Sequence, residues 1–485
     1  MKKNIKYIIF TFIILTTGAC QDFEELQIDP NRATEVGPEL LLTNLQVDIF
    51  NNVTLDAALA SRFLVYTQGA SLSQYYGWQR AGFDDYNQLR QVIKMEEEAM
   101  RVDNANYLAI AKFLRSYVIL ELTKTFGDVP YLQAGSAFEG EYMPEYTPQE
   151  QIYQQVLQEL DEANAELSVE NGEIRGDLIF DGDVTKWKKL VNSFKLRVLI
   201  SLSLKEGTSL DIESQFRNII QNPDTYPLMS SNEDNAALAF FDRESNRYPY
   251  FNDNSIQTDY YLDESFVSLL KERNDPRLFS VGDPDFASRQ ANLDPSNFDA
   301  YTGLGGSATL TENVSRLNEG EGSPINSRFY NDPVNEPSVL LSYAELAFTI
   351  AEAAQRGWVS VSPEEYYMQG IQASMEFYNI EASAIDAYLQ QPEVAFEAAK
   401  GLEMILTQKY LSFFMNSGWE AYYNQRRTGI PEFSTDGGGI LNGGKIPKRW
   451  MYPESELDLN ESHVLQAIER QFGTDDINGE MWLLK

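Results

Sequence analysis

Apolar residues recur at helical spacing in several long segments of the chain. In residues 103–126 the apolar positions on one face are Tyr107, Ile110, Ala111, Leu114 and Val118. Spacings of three and four residues predict an amphipathic helix. Asp103 is the expected N-cap of this helix, and the run from Gly127 to Pro130 is expected to end it.

Two further helices are predicted by their first residues. Each segment opens with a hydroxyl residue, a proline and a glutamate, which is a capping box with proline at the first helical position. The two sets are Thr147, Pro148 and Glu150 in residues 147–167, and Ser362, Pro363 and Glu365 in residues 362–378.

Residues 184–204 and 339–358 also have helical periodicity. The second segment carries a stripe of small residues, which lets helices approach closely, at Ala344, Ala347, Ala351 and Ala354. Paired helices of this length predict a mainly α protein built on a helical-repeat scaffold of the tetratricopeptide kind, although a strict 34-residue register does not close.

Residues 223–338 have a different composition. Pro, Gly, Asn, Asp and Ser recur there, with aromatic residues among them, and few helices are expected. A loop region of this length inside a compact chain is uncommon unless it is functional. We therefore predict an N-terminal helical portion at 38–222, a loop-rich variable insertion at 223–338 and a C-terminal helical portion at 339–485. Residues 38–485 are expected to form one globular unit.

The N-terminus has the pattern of a secretory signal. Three lysines in the first six residues precede an apolar run, Tyr7 to Leu15, which is too short for a membrane-spanning helix. Small residues then lead to Cys20, the only cysteine. We predict a signal peptide at 1–19 and a lipidated Cys20 followed by a tether at 20–37, with a plain secreted chain as the alternative.

Charge and residue counts exclude several classes of function. The formal charge is −35; removal of residues 1–19 takes away three lysines and leaves 35 basic against 73 acidic residues, a charge of −38. Such a chain repels nucleic acid. A single histidine, His463, and a single cysteine exclude imidazole-based triads, multi-histidine zinc sites and intramolecular disulfides.

A set of stretches, in order along nearly the whole chain, resembles the SusD/RagB outer-membrane nutrient-binding lipoproteins of Bacteroidetes. The matching stretches are "CQDFEELQIDPN", "AKFLRSYVILELTKTFGDVPY", "ERNDPRL", "SYAELAFTIAEAAQRGW", "EYYMQGIQASMEFY", "TQKYLSFFMNSGWEAYYNQRRTGIPEF" and "IPKRWMYPESELDLN". The acids Asp22, Glu24 and Glu25 behind the cysteine likewise resemble the tag of lipoproteins sent to the outer face of the outer membrane.

The resemblance implies four tetratricopeptide-like helix pairs that support a variable loop domain. It also implies a non-enzymatic lid over a TonB-dependent transporter of the SusC type, into which glycans, or in some members peptides, are delivered. The implied location is the outer membrane, lipid-anchored and facing the cell exterior. No cofactor is expected, although loop acids leave a structural calcium open.

Candidate ligand residues combine aromatic rings with amides or arginine, as sugar recognition requires. The candidates are Gln74, Tyr75, Tyr76, Trp78 and Arg80 in the first loop, and Asn246, Tyr248, Tyr250 and Tyr301 in the insertion. The alternative for Tyr76 and Trp78 is that they cap the helix bundle. In the family, the insertion supplies the opposite wall of the site. No catalytic residue stands out, but a surface glycoside hydrolase and a structural adhesin remain alternative functions.

Overall fold

The computed structural model describes residues 35–136 and 140–485. The predicted signal peptide, Cys20 and most of the predicted tether lie outside these residues. Within the described part of the chain, no helix is both long and apolar enough to cross a membrane.

The N-terminal portion consists of helices that pack on one another in sequence. Its elements are α1 (Pro38–Phe50), α2 (Leu55–Ala60), β1 (Leu64–Tyr66), α3 (Asp85–Arg101), α4 (Ala105–Phe126), β2 (Val129–Pro130), β3 (Tyr146–Thr147), α5 (Gln149–Glu166), α6 (Val184–Ser201) and α7 (Ile212–Gln221). Helix α4 is central, because α3, α5 and α6 all contact it. The prediction of a mainly α protein is confirmed.

Two predicted helix starts in the N-terminal portion are wrong. The N-cap of α4 is Asn104, whose side-chain oxygen accepts hydrogen bonds from the Asn106 and Tyr107 amides, whereas Asp103 has a positive φ of 53°. Thr147 belongs to β3, and the Gln149 amide at the start of α5 donates to Asp128 Oδ1 at 2.8 Å instead. A cap supplied by a distant residue leaves no local sequence pattern.

Residues 223–338 contain short helices of four to nine residues and two strands. These are β4 (Ala236–Leu238), α8 (Asn254–Asp259), β5 (Tyr260–Leu262), α9 (Glu264–Glu272), α10 (Leu278–Val281), α11 (Phe286–Gln290), α12 (Leu310–Asn318) and α13 (Arg328–Asn331). Strand β5 pairs antiparallel with β1. This pairing fixes the region against the N-terminal helices.

The C-terminal portion returns to longer helices. Its elements are β6 (Ser338–Leu341), α14 (Tyr343–Gln355), α15 (Pro363–Phe377), α16 (Ala382–Leu389), α17 (Gly401–Leu411), α18 (Glu420–Thr428), α19 (Glu454–Leu459) and α20 (Glu461–Gln471). The predicted cap Ser362 is confirmed, since its Oγ accepts from the Glu365 amide at 3.2 Å. The predicted helix start at 339 is wrong, because residues 338–341 pair with β4.

Buried ion pairs join helices that are far apart in the sequence. Arg197 on α6 donates to Glu345 on α14 at 2.7 Å, and Arg427 on α18 donates to both carboxylate oxygens of Glu352 on α14 at 2.5 and 2.9 Å. Burial alone would raise the pKa of Glu352, but the charge and hydrogen bonds of Arg427 lower it to about 2. Such a pair is costly to break, because removing one partner leaves the other charge buried and alone.

We expect Glu352→Gln to lower the free energy of unfolding by about 3 to 5 kcal/mol at neutral pH. A lowered pKa in the folded state means that the carboxylate stabilises the fold above its ordinary pKa of 4.5, and that this contribution is lost as the pH falls toward about 2. The difference in unfolding free energy between wild type and variant should therefore narrow as the pH falls over that range. Urea unfolding followed by circular dichroism measures this difference at each pH. Glu469→Gln, at an exposed position of α20, is the control and should change the free energy of unfolding little.

Candidate functional site

A cleft of about 370 Å³ lies where the C-terminal ends of α1 and α4 meet the start of α3 and two segments of the C-terminal portion. Its lining combines aromatic rings with amides and carboxylates. The lining residues are Asp48, Ile49, Asn51, Asn52, Ala81, Asp85, Gln88, Tyr117, Val118, Glu121, Thr125, Trp419, Tyr423 and Trp450.

Two half-buried tryptophans form an aromatic corner on one side of the cleft. The rings of Trp419 and Trp450 are nearly perpendicular, at 87°, with their centroids 5.0 Å apart. Behind this corner, the buried indole of Trp78 stacks on Trp450 at 4.7 Å and 10°. The perpendicular arrangement offers a ligand the face of one ring and the edge of the other.

The aromatic corner is held by contacts to α4. Lys124 Nζ lies 2.5 Å from both Glu121 and Glu420, and Glu420 directly follows Trp419. The chain reaches Trp419 through a turn in which Gly418 has φ of +56°.

The position of Trp450 is fixed in the same way. Its backbone amide donates to the Thr125 carbonyl at 3.0 Å. Arg426 Nη1 donates to the carbonyls of Lys124 and Lys448 at 2.9 and 2.7 Å, which ties the segment before Trp450 to the end of α4. One helix end therefore positions both indoles.

Three carboxylates, those of Asp48, Asp85 and Glu121, also line the cleft. Burial, and then the charge of Asp84, raises the pKa of Asp85. Burial also raises the pKa of Glu121, although the ammonium of Lys124 acts in the other direction. Among the described residues that line the cleft, none is Lys, Arg or His. The cleft therefore disfavours anionic ligands.

Some of the polar side chains that line the cleft make no hydrogen bond to another described residue. Asn52 donates to the Val339 carbonyl and contacts Ser338 Oγ, so its amide belongs to the scaffold. By contrast, within residues 35–136 and 140–485 no group hydrogen-bonds the side chains of four rim residues: Asp48, Asn51, Asp85 and Gln88. Their amide and carboxylate groups are available for hydroxyl groups of a ligand.

The structure places four of the five predicted residues of the first loop in the core. Gln74 Oε1 accepts from the Tyr66 amide, Tyr76 donates to the Ala60 carbonyl, and Trp78 Nε1 donates to the Arg449 carbonyl. Burial also raises the pKa of Tyr75 and raises that of Tyr76 to about 12. Their rings have no face open to a sugar, which favours the alternative that Tyr76 and Trp78 pack against the bundle.

Arg80, the fifth of these residues, lies at the surface and pairs with Asp475 at 2.6 Å and Glu454 at 3.1 Å. Its guanidinium is therefore already engaged by two carboxylates. A direct ligand contact by Arg80 stays a prediction.

The predicted residues of the insertion lie around a second core cluster. Tyr248 and Tyr301 are buried, and Tyr301 donates to the Pro295 carbonyl at 2.8 Å. Tyr250 is half-buried, and its hydroxyl accepts from the Leu55 amide at 3.1 Å. Asn246 is exposed. None of the nine predicted residues lines the cleft, and their contact with a ligand stays a prediction.

Among the described residues, no group of three or more His, Cys, Asp or Glu side chains is arranged to hold a metal ion.

Comparison with known proteins assigns the family. Residues 30–453 match the SusD-like family model described as starch-binding and associating with the outer membrane. The chain belongs to the SusD-like family. No functionally curated protein matches it.

Solved structures agree with this assignment. A SusD homologue from Bacteroides fragilis is 39% identical, with 93% of this chain and 100% of that chain covered and a TM-score of 0.86. A second from the same species is 31% identical, with the same coverage and a TM-score of 0.87. A chitin-binding protein is 25% identical, with 92% and 100% covered and a TM-score of 0.76. The resemblance and the tetratricopeptide-like helical fold are confirmed.

We expect Trp78→Ala to lower the free energy of unfolding by about 3 to 5 kcal/mol, because it removes a buried indole from the layer behind Trp450. Denaturant unfolding followed by circular dichroism measures the loss. Leu72→Ala, at an exposed apolar position in the same loop, is the control and should lower the free energy of unfolding far less. An unchanged stability of the Trp78 variant would contradict its role as a buried support.

Proposed function

We propose that this SusD-like protein is a lipid-anchored, non-enzymatic binder of oligosaccharides at the cell surface, which passes them to a SusC-type TonB-dependent transporter. The observation that carries the proposal is the aromatic corner of Trp419 and Trp450 in a cleft that is also lined by amides and carboxylates. Membership of an outer-membrane starch- and nutrient-binding family supports it.

The chemistry of the cleft suits a sugar. A pyranose ring has an apolar C–H face, which stacks on an indole, and a rim of hydroxyl groups, which need hydrogen-bond partners. Trp419 and Trp450 supply the stacking surface, while Asn51 and Gln88 supply amides and Asp85 a carboxylate acceptor. The large negative charge of the chain further disfavours polyanionic ligands.

Oligopeptide binding is the alternative within the family. In one recurring mode, an extended peptide is held by main-chain hydrogen bonds to an open sheet edge. The cleft is instead lined largely by α1, α3 and α4, whose interior backbone groups are hydrogen-bonded within each helix. Side-chain amides and carboxylates remain as the principal partners, which favours a sugar.

We expect Trp450→Ala and Trp419→Ala each to weaken glycan binding by about 1 to 3 kcal/mol, because each removes one wall of the aromatic corner. Binding to a glycan panel, followed by titration calorimetry with the best ligand, measures the loss. Trp482→Ala is the matched control: this indole is half-buried like the other two but packs near Tyr153, away from the cleft.

Two results of the same experiment would contradict the proposal. New reducing ends released from the bound glycan would indicate a glycoside hydrolase, for which a pair of carboxylates such as Asp85 and Glu121 is the usual machinery. Retention of peptides with no retention of any glycan would favour the oligopeptide-binding alternative.

The anchor and the partner require separate tests. We expect Cys20→Ala to move the protein from the membrane fraction to the soluble fraction, since acylation of this cysteine is the proposed attachment. A substitution at another tether position, Gln21→Ala, should leave it in the membrane fraction. Intact-mass analysis of the mature protein gives the lipid directly, and an unacylated Cys20 would contradict the proposal.

Delivery to a transporter predicts a stable or transient complex. Affinity purification of the anchored protein from outer membranes should recover a TonB-dependent barrel of the SusC type. Recovery of other surface proteins and no barrel would favour the structural adhesin.

A further inference from the structure

The cleft carries more negative charge than binding of a neutral sugar requires. Three carboxylates line it, and its described lining contains no cationic side chain. Only Glu121 has a compensating cation, since Lys124 lies 2.5 Å from it. In the described part of the chain, neither Asp48 nor Asp85 has an arginine or lysine within ion-pairing distance. Two carboxylates therefore face the cleft without a protein counter-ion.

The aromatic corner has the geometry that attracts a cation. A positive charge is stabilised over the face of an indole, and sets of rings at steep angles to each other recognise ammonium groups. Trp419 and Trp450 meet at 87°, and Tyr117 and Tyr423 line the same cleft. The protein already uses this interaction nearby, where Lys124 Nζ lies 4.6 Å from the centre of the Tyr423 ring.

Resting on the proposed function, we infer that the cleft selects oligosaccharides with a free, protonated amino group, which lies against Trp419 and Trp450 and pairs with Asp85 and Asp48. An amino sugar suits both kinds of lining group, because its ring can stack on an indole while its ammonium group pairs with the carboxylates. A neutral sugar would leave both carboxylates without a counter-charge.

A lysine side chain presents the same ammonium group as an amino sugar. It lacks a ring to stack on the indole, and the peptide that carries it would find few main-chain partners on the helices of the cleft. The amino sugar is therefore the ligand class that uses the whole lining.

Titration calorimetry with a β-1,4-linked glucosamine tetramer and its fully N-acetylated counterpart tests the inference. At low salt and a pH at which the amine is protonated, the free-amine tetramer should bind about tenfold more tightly than the acetylated one. The preference should shrink as salt is added, because part of it is a charge interaction near the surface.

The double variant Asp48→Asn with Asp85→Asn keeps the size of both side chains and removes their charge. It should bring the affinity for the free-amine tetramer to within about twofold of that for the acetylated tetramer, and should leave acetylated binding nearly unchanged. Asp386→Asn, at an exposed position of α16, is the matched control and should preserve the preference.

The outcomes separate the inference from the function on which it rests. Equal binding of the two tetramers, or binding of neither while a neutral glycan binds through Trp450, would overturn the inference and leave the glycan-binding function standing. A preference for lysine-containing peptides over the free-amine tetramer would overturn it as well. Failure of every glycan to bind would overturn both.

Discussion

The ammonium of Lys124, buried between two carboxylates, is the contact on which the site depends. It joins Glu121 on α4 to Glu420 at the start of α18, and so sets the distance between the N-terminal helices and the segment that carries Trp419. A buried charge of this kind is tolerated only when its partners are in place. The ion pairs Arg197–Glu345 and Arg427–Glu352 likewise join α6 and α18 to α14, and so fix the helices of the two portions relative to one another.

The positions of these helices could be predicted from local sequence, whereas several of their ends could not. The periodicity of apolar residues identified α4, α6 and α14, because a helix buries a stripe that local spacing already reveals. The capping-box patterns at Thr147 and Ser362 identified α5 and α15. The misplaced ends depend on distant partners: Asp128 caps α5, and β4 draws residues 338–341 into a strand. Arg426 and Arg427 have structural roles, since their buried guanidinium groups contact carbonyls and Glu352.

The candidate site was harder to predict than the fold. Trp78 and Tyr76 stand among turn-forming residues and resembled an exposed platform, but both are buried. Trp450 stacks on Trp78, and Trp78 and the Arg62 guanidinium pack against Tyr76. The cleft instead combines residues of α1, α3 and α4 with Trp419 and Trp450. Both tryptophans lie within stretches that carried the family resemblance. Only the tertiary packing brings them to Glu121.

The cleft is shared by segments that are far apart in the sequence, since residues 48–52 line it together with Trp419, Tyr423 and Trp450. A molecule that occupies it therefore holds these segments together and stabilises the folded state by mass action. Partial opening of either segment, which exposes backbone to cleavage, becomes rarer in proportion to occupancy. Occupancy of the cleft should therefore slow proteolysis of the folded protein.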